Sequence, residues 1–120
     1  MYIYKVIAKS SVAHKLEHYK GKCSNLHGHT IKVMVEIGFQ EISSPTNMKL
    51  DFKEIKKMME KIVPDHVYLN EYYNCTDPTA EVLARKIYEE FVEVLAERLS
   101  LHVEGVTVWE SEKAGVFYSN

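Results

Sequence analysis

Cysteine is scarce in this 120-residue chain, limited to Cys23 and Cys75. Two thiols do not make a disulfide-dense scaffold, and no segment reads as a signal peptide. Reduced thiols and a cytoplasmic location are the expectation. A basic excess is also missing: net charge is -2 and the pI is near 6.3, which excludes a general nucleic-acid binder. No apolar run approaches the ~20 residues that a membrane span requires. Disordered-class composition is absent as well, since 46% of residues are apolar and 27% charged. No linker or low-complexity segment divides residues 1–120, so they read as a single domain that buries roughly two thirds of its unfolded surface.

What the chain does have is a concentration of reactive side chains in Cys23-Ser24-Asn25-Leu26-His27-Gly28-His29, with His14 upstream. His27 and His29 open the run Thr30-Ile31-Lys32-Val33-Met34-Val35-Glu36-Ile37, whose alternation and β-branched residues are strand features. Residues i and i+2 of a strand share a face, so both imidazoles project toward one site. His14 ends a second alternating stretch that begins Tyr2-Ile3-Tyr4-Lys5-Val6-Ile7-Ala8. Antiparallel pairing of the two strands brings it to the same place. Three neutral nitrogens with one open position is the pattern of catalytic zinc, whereas structural zinc closes its sphere with four protein ligands. The competing reading makes these histidines surface or turn residues. Cys23 serves as a fourth ligand, a structural thiol or a nucleophile, and spacing alone leaves all three open. Lys15, Lys20 and Lys22 surround the motif, either as a solvated face or as an attraction for an anionic substrate.

The periodicities arrange the chain as strand, strand, helix, helix, strand, strand. Residues Gln40 to Asn47 read as a loop. Asp51 with Glu54 fits a capping box for a helix whose apolar face is Phe52, Ile55, Met58, Met59 and Ile62, ended by Pro64. Asp77-Pro78 reads as N-cap and first helical residue of a second helix, with Leu83, Ile87, Phe91, Val94 and Leu95 as its buried stripe, stopping near Ser100. His102 to Glu110 alternates again, and Val116-Phe117-Tyr118 is short but strand-like. The predicted fold is α+β: a four-stranded antiparallel sheet in the order ββααββ with two helices on one face. Its open edges predict a ring-like homo-oligomer. Between the helices, Asp65-His66 is a candidate proton relay in which the carboxylate fixes the imidazole tautomer, although adjacent Asp-His pairs also arise by chance.

Six ordered segments then form a set. Ala13-His14-Lys15-Leu16, Cys23-x-x-x-His27-Gly28-His29, Leu50-Asp51-Phe52, Asp65-His66-Val67-Tyr68-Leu69-Asn70, Pro78-Thr79-Ala80-Glu81 and Val108-Trp109-Glu110-Ser111 resemble the 6-pyruvoyltetrahydropterin synthase family over nearly the whole chain. The three-residue gap between Cys23 and His27 resembles its 6-carboxy-5,6,7,8-tetrahydropterin synthase branch, of queuosine and 7-deazapurine biosynthesis. The resemblance implies a tunnelling fold (T-fold) whose subunits join their sheets into a β-barrel, here a homohexamer built as a dimer of trimers. It implies Zn2+ on His14, His27 and His29, Cys23 as catalytic thiol, Asp65 and His66 as relay, and Glu110 as the acid that anchors a pterin ring. Thr79 and Glu81 are candidate substrate contacts, or ordinary first-turn helix residues. The implied reaction converts 7,8-dihydroneopterin triphosphate to 6-carboxytetrahydropterin, acetaldehyde and triphosphate. The alternatives are a 6-pyruvoyltetrahydropterin synthase or dihydroneopterin aldolase-like enzyme of the same fold, and a non-catalytic pterin- or metal-binding protein. The chain departs from the family pattern in Ser10-Ser11-Val12-Ala13 before the first histidine, in Asn47 where glycine is common, and in Pro64 where leucine is common.

Overall fold

Sustained alternation makes the first two strands long. In the computed structural model, which describes residues 1–120, β1 spans Tyr2–His14 and β2 spans His27–Phe39, thirteen residues each. They pair antiparallel along their full length, from Tyr2 opposite Phe39 to His14 opposite His27. Then follow α1 (Phe52–Ile62), β3 (Val67–Tyr68), α2 (Leu69–Tyr72), α3 (Ala80–Val94), β4 (His102–Trp109) and β5 (Gly115–Tyr118). No helix is long and apolar enough to cross a membrane.

The sheet has five strands in the order β3-β1-β2-β4-β5, which corrects the expected four-stranded, two-helix plan. Strand β3 runs parallel to β1 at Val12 and Ala13 only, so the sheet is mixed. A two-residue strand and the single turn of α2 are too short to show a period, and both hide between the two long helices.

One face of the sheet carries the core. Val6, Val12, Ile31, Val33, Val35, Ile37, Val106 and Val108 are buried beneath α1 and α3. Ile55, Met59 and Ile62 of α1 and Leu83, Ala84, Ile87 and Phe91 of α3 complete it. Phe52 and Val94, expected inside, are 54% and 50% exposed. Phe52 instead sets its ring edge-on to Tyr4, at 5.2 Å. Val94 is the last residue of α3, and the buried Leu95 beyond it continues the stripe from Phe91. The opposite face of the sheet has no helix over it.

The caps differ from the expected ones in detail. Asp51 caps α1 by accepting from the Lys53 N–H at 2.8 Å. Glu54 does not return the bond as in a reciprocal box; its carboxylate faces Arg98 at 3.6 Å. Helix α3 begins two residues later than expected, because Thr79 rather than Asp77 is its N-cap, accepting from Val82 N at 3.3 Å. Asn47 sits at φ 59°, in the left-handed region. Asparagine tolerates that conformation, which explains how it replaces glycine there.

Asp77 is engaged elsewhere. Its carboxylate accepts from the His18 backbone N–H at 2.9 Å, faces His18 Nδ1 at 2.6 Å, and accepts from Thr76 Oγ1 at 3.0 Å. This clamp holds the β1–β2 connection, whose only regular structure is a single 3-10 turn at Lys22–Ser24. Hydrogen bonding to Asp77, reinforced by its charge, raises the His18 pKa above its ordinary 6.5. The backbone N–H and then the ring of His18 hold the Asp77 carboxyl below its ordinary 3.8. A raised histidine contributes fully below 6.5 and loses its contribution as pH climbs through the folded value. A depressed carboxyl contributes above 3.8 and loses it as pH falls. The clamp is therefore complete between those limits and loosens on either side.

Two outcomes follow. Phe91 is fully buried, so Phe91→Ala is expected to lower the unfolding free energy by about 3–5 kcal/mol in urea titrations; a loss below about 1 kcal/mol would contradict this packing. In an NMR titration, the His18 ring should reach its midpoint above 6.5 in the native protein and fall toward 6.5 in Asp77→Asn. Identical midpoints would mean that the clamp does not form in solution.

Candidate active site

The long ladder places the three histidines on one face. His14 ends β1 directly opposite His27, and His29 lies opposite Val12 two pairs further in. By strand alternation all three side chains point to the helix-covered side, where His14 is only 3% exposed. Their ring centroids are 4.6, 4.8 and 5.5 Å apart, and one nitrogen from each falls within 4.8 Å of the others.

The hydrogen bonds around these rings decide what the cluster can hold. His14 Nδ1 lies 2.8 Å from the Pro78 carbonyl and His27 Nδ1 lies 2.8 Å from the Asn25 carbonyl. A carbonyl only accepts, so both rings donate from Nδ1–H, and the neutral rings present lone pairs at Nε2. Those two Nε2 atoms face each other at 3.0 Å. Two acceptors at that distance repel unless a cation or a proton lies between them. His29 Nε2 is buried with no hydrogen-bond partner. Burial first, and the neighbouring His14 and His27 next, pull the His29 pKa below its ordinary 6.5 despite the Glu110 charge. The neutral, ligating form is thus favoured. Nitrogens of a tetrahedral zinc site lie about 3.3 Å apart, given Zn–N bonds near 2.0–2.1 Å, so the donor set fits a small divalent ion. The group can hold a metal.

The backbone next to His14 is fixed from beyond its own strand as well. The Asn70 amide accepts from Lys15 N at 3.0 Å and donates to Lys15 O at 2.8 Å and to Thr76 O at 3.2 Å. Sequence alone assigns Pro78, Asn25 and Asn70 no part in the site: Pro78 and Asn25 act through backbone carbonyls, which have no side-chain signal, and the Asn70 amide meets a backbone 55 positions away.

The other candidate residues are distributed around this cluster. Cys23 sits half-buried in the 3-10 turn as a free thiol, and its carbonyl accepts from Leu16 N at 3.0 Å. Glu110 follows the last residue of β4 and is exposed; its charge and its backbone both act on His29. Asp65 and His66 stand apart, on the edge of β1 away from β2. Asp65 Oδ1 accepts from Ser11 N at 2.9 Å and faces His66 Nδ1 at 3.1 Å. The Ser11 N–H, more than His66, holds the Asp65 carboxyl below its ordinary 3.8. His66 is 80% exposed at its side chain and takes φ 56°, a conformation uncommon outside glycine. Ser11 is three residues from His14, about 10 Å along a strand, and neither Asp65 nor His66 shares a hydrogen bond with Cys23. Pro64, the third departure from the family pattern, is buried and its carbonyl accepts from Ser10 Oγ. Thr79 spends its hydroxyl on the α3 cap, and Glu81 is an exposed first-turn residue.

Known proteins share this architecture. The family model described as 6-pyruvoyl tetrahydropterin synthase matches residues 3–120. A Synechocystis protein named 6-carboxy-5,6,7,8-tetrahydropterin synthase is 34% identical over 87 residues, covering 68% of this chain and 67% of its own. A Haemophilus influenzae protein of the same name is 28% identical over 121 residues, covering 83% and 86%. The solved structure of Caenorhabditis elegans 6-pyruvoyl tetrahydropterin synthase superposes with a TM-score of 0.83 at 25% identity, over 99% of this chain and 95% of that one. With a family match spanning almost every residue, this chain belongs to the 6-pyruvoyl tetrahydropterin synthase family.

Proposed function

We propose that the protein is a zinc-dependent 6-carboxy-5,6,7,8-tetrahydropterin synthase, which converts 7,8-dihydroneopterin triphosphate and water to 6-carboxytetrahydropterin, acetaldehyde and triphosphate. The observation that carries this reading is the pair of opposed lone pairs on His14 and His27, 3.0 Å apart beside the unpartnered His29 nitrogen. A metal ion bound between them relieves that arrangement with both Nδ1–H bonds in place and also satisfies His29, which a proton shared by His14 and His27 alone does not. The choice of product is supported by the names of the Synechocystis and Haemophilus relatives and by the three-residue gap between Cys23 and His27. The Caenorhabditis structure favours a second reading within the family, release of a 6-pyruvoyl product.

His14, His27 and His29 would hold the ion. Zinc bound there supplies Lewis acidity toward the oxygens of the substrate side chain, which acidifies the adjacent C–H. Cys23 Sγ, as thiolate, takes that proton. Asp65 holds His66 by Nδ1 and leaves Nε2 exposed; standing at the open edge, away from the histidines of its own subunit, His66 would take up at Nε2 the proton removed by the thiolate of a neighbouring subunit and return it to the substrate there. The Glu110 carboxylate accepts parallel hydrogen bonds from the 2-amino and ring N–H groups of the pterin. Thr79 serves the site through its cap, which sets the end of α3 beside the Pro78 carbonyl, and Glu81 remains a candidate contact to the substrate.

Assembly belongs to the same proposal. Strand β3 covers β1 only at Val12 and Ala13, which leaves most of that edge unpaired, and β5 forms the other open edge. Ile3, Ile7 and Phe117 are 40%, 50% and 54% exposed on the helix-free face. Subunits joined edge to edge into a barrel, as a dimer of trimers, cover these features. Asp65 and His66 stand on the same open edge, and so at the junction between subunits. The free thiols of Cys23 and Cys75 fit a cytoplasmic enzyme.

Incubation of zinc-loaded protein with 7,8-dihydroneopterin triphosphate, followed by mass spectrometry and an acetaldehyde assay, is the test. Equal amounts of 6-carboxytetrahydropterin and acetaldehyde are expected; a 6-pyruvoyl product without acetaldehyde would replace the leading reading with the second. Chelation should abolish turnover and added Zn2+ restore it. Cys23→Ala should lower kcat by about 10²–10⁴-fold while zinc stays bound. Full activity in that variant would remove the thiol from the mechanism.

A further inference from the structure

Where β1 stops, one side chain takes over the work of a strand. The backbone pairing of β3 with β1 ends at Ala13 opposite Tyr68. Two residues later in each chain segment, the Asn70 amide accepts from the Lys15 N–H at 3.0 Å and donates to the Lys15 carbonyl at 2.8 Å. An amide that accepts from and donates to one residue reproduces the two bonds that a neighbouring strand would make. The orientation of the amide follows from chemistry, because Lys15 N can only donate and Lys15 O can only accept. The second Nδ2 hydrogen reaches Thr76 O at 3.2 Å, a carbonyl that also accepts from Glu17 N at 3.4 Å. Every donor of the amide is used.

The position of this bracket gives it meaning. Lys15 directly follows His14, whose ring must meet His27 and His29 while its Nδ1–H stays on Pro78 O. On the other side, the β2 ladder ends at the His14–His27 pair itself. Without Asn70 the backbone just past His14 enters a connection with no strand partner. Asn70 is anchored in turn, since it sits in α2 next to the buried Leu69.

We propose that Asn70 is a positioning residue for the metal centre: it sets the backbone on the C-terminal side of His14 and thereby aims the buried imidazole at the shared ion. This rests on the metal reading above. The role belongs to the Asn70 amide and the Lys15 backbone, and the Lys15 side chain has no part in it.

Purified protein, stripped of metal, is titrated with Co2+ in competition with a chelator, while the visible Co2+ spectrum and the urea stability of the metal-free form are recorded. Asn70→Leu keeps the size of the side chain and removes all three hydrogen bonds. It is expected to weaken Co2+ binding about 10–100-fold, the usual cost of losing a partner that orients a ligand, and to change the ligand-field bands. Asn70→Ser, which reaches neither carbonyl, repeats the measurement should the leucine variant not fold. Lys15→Ala should bind Co2+ as the native protein does. Ser10→Ala calibrates plain destabilisation: it removes the buried bond from Ser10 Oγ to the Pro64 carbonyl on the same strand, and should lower metal-free stability without changing affinity or spectrum. Native affinity and spectrum in the Asn70 variants would overturn the proposal, as would weakening in Lys15→Ala equal to theirs. Failure of the native protein itself to bind Co2+ would overturn the metal reading instead, so the two failures are distinct.

Discussion

The register of β1 against β2 is the constraint on which the rest depends. Thirteen consecutive pairs, from Tyr2–Phe39 to His14–His27, bring residues widely separated in sequence onto one face and one end of the sheet. The period of a strand is two, so a slip of one residue would turn Val6, Val12 and His14 outward and Lys5, Lys9 and Ala13 toward the helices. The same alternation that buries the core therefore aims the imidazoles. Burial of Val33, Val35 and Ile37 on β2 makes the slipped register costly by several apolar side chains, each worth about 1.5–3 kcal/mol when fully buried. The histidine cluster inherits that precision from packing that lies mostly far from it.

Beyond the end of the ladder the means of support changes. Residues 15–26 carry Cys23 and connect two of the clustered histidines, yet they contain only one short 3-10 turn. Side chains and carbonyls of residues 70–78 hold their start, Asn70 on Lys15, Thr76 on Glu17 and Asp77 on His18, and Pro78 holds the ring of His14 just before them. One short segment, itself fastened by Leu69 in the core, thus positions four points between His14 and His18. Its contacts with the connection are hydrogen bonds and not apolar burial, which permits local opening at a lower cost than opening of the sheet.

Much of this was legible in the sequence where a period is long enough to be measured. Strands β1, β2 and β4, the inner faces of α1 and α3, and the convergence of His14, His27 and His29 follow from alternation and helical spacing. The missed elements share a physical cause. Val67–Tyr68 and Leu69–Tyr72 are too short to repeat, and tertiary contacts define them. The misplaced start of α3 is more instructive. Asp77-Pro78 has the local chemistry of a cap, but Asp77 gains more from a partner 59 positions away, His18, and Thr79 takes the cap in its place. A sequence shows which residues are competent to cap; it does not show which have a better offer elsewhere. Asp65 and His66 are adjacent in sequence and face each other at 3.1 Å, yet no local pattern reveals that they lie on the far edge of β1 from β2.

The cluster of imidazoles is also the place where local rules conflict with the fold. Elsewhere the inward face of β1 and β2 is filled by apolar and aromatic side chains, from Tyr4, Val6, Ala8 and Val12 to Ile31, Val33, Val35, Ile37 and Phe39, with Ser10 satisfied by the Pro64 carbonyl. At its end, three polar rings replace apolar ones, two present lone pairs to each other, and a third leaves a buried nitrogen without a partner. An unpaired buried polar atom costs about 1–3 kcal/mol, and a chain selected for stability alone would fill the corner with hydrocarbon. Consistency between sequence and structure normally holds at every level and fails at sites kept for chemistry. Apart from the buried, unpartnered Tyr73 hydroxyl, the failure is concentrated in three side chains, while the backbone under them is held on one side by a thirteen-residue ladder and on the other by a single asparagine. That combination, strained donors on an over-determined backbone, is what a preorganised ion site requires: the rings cannot relax away from one another, so the repulsion among them is relieved only by what binds between them.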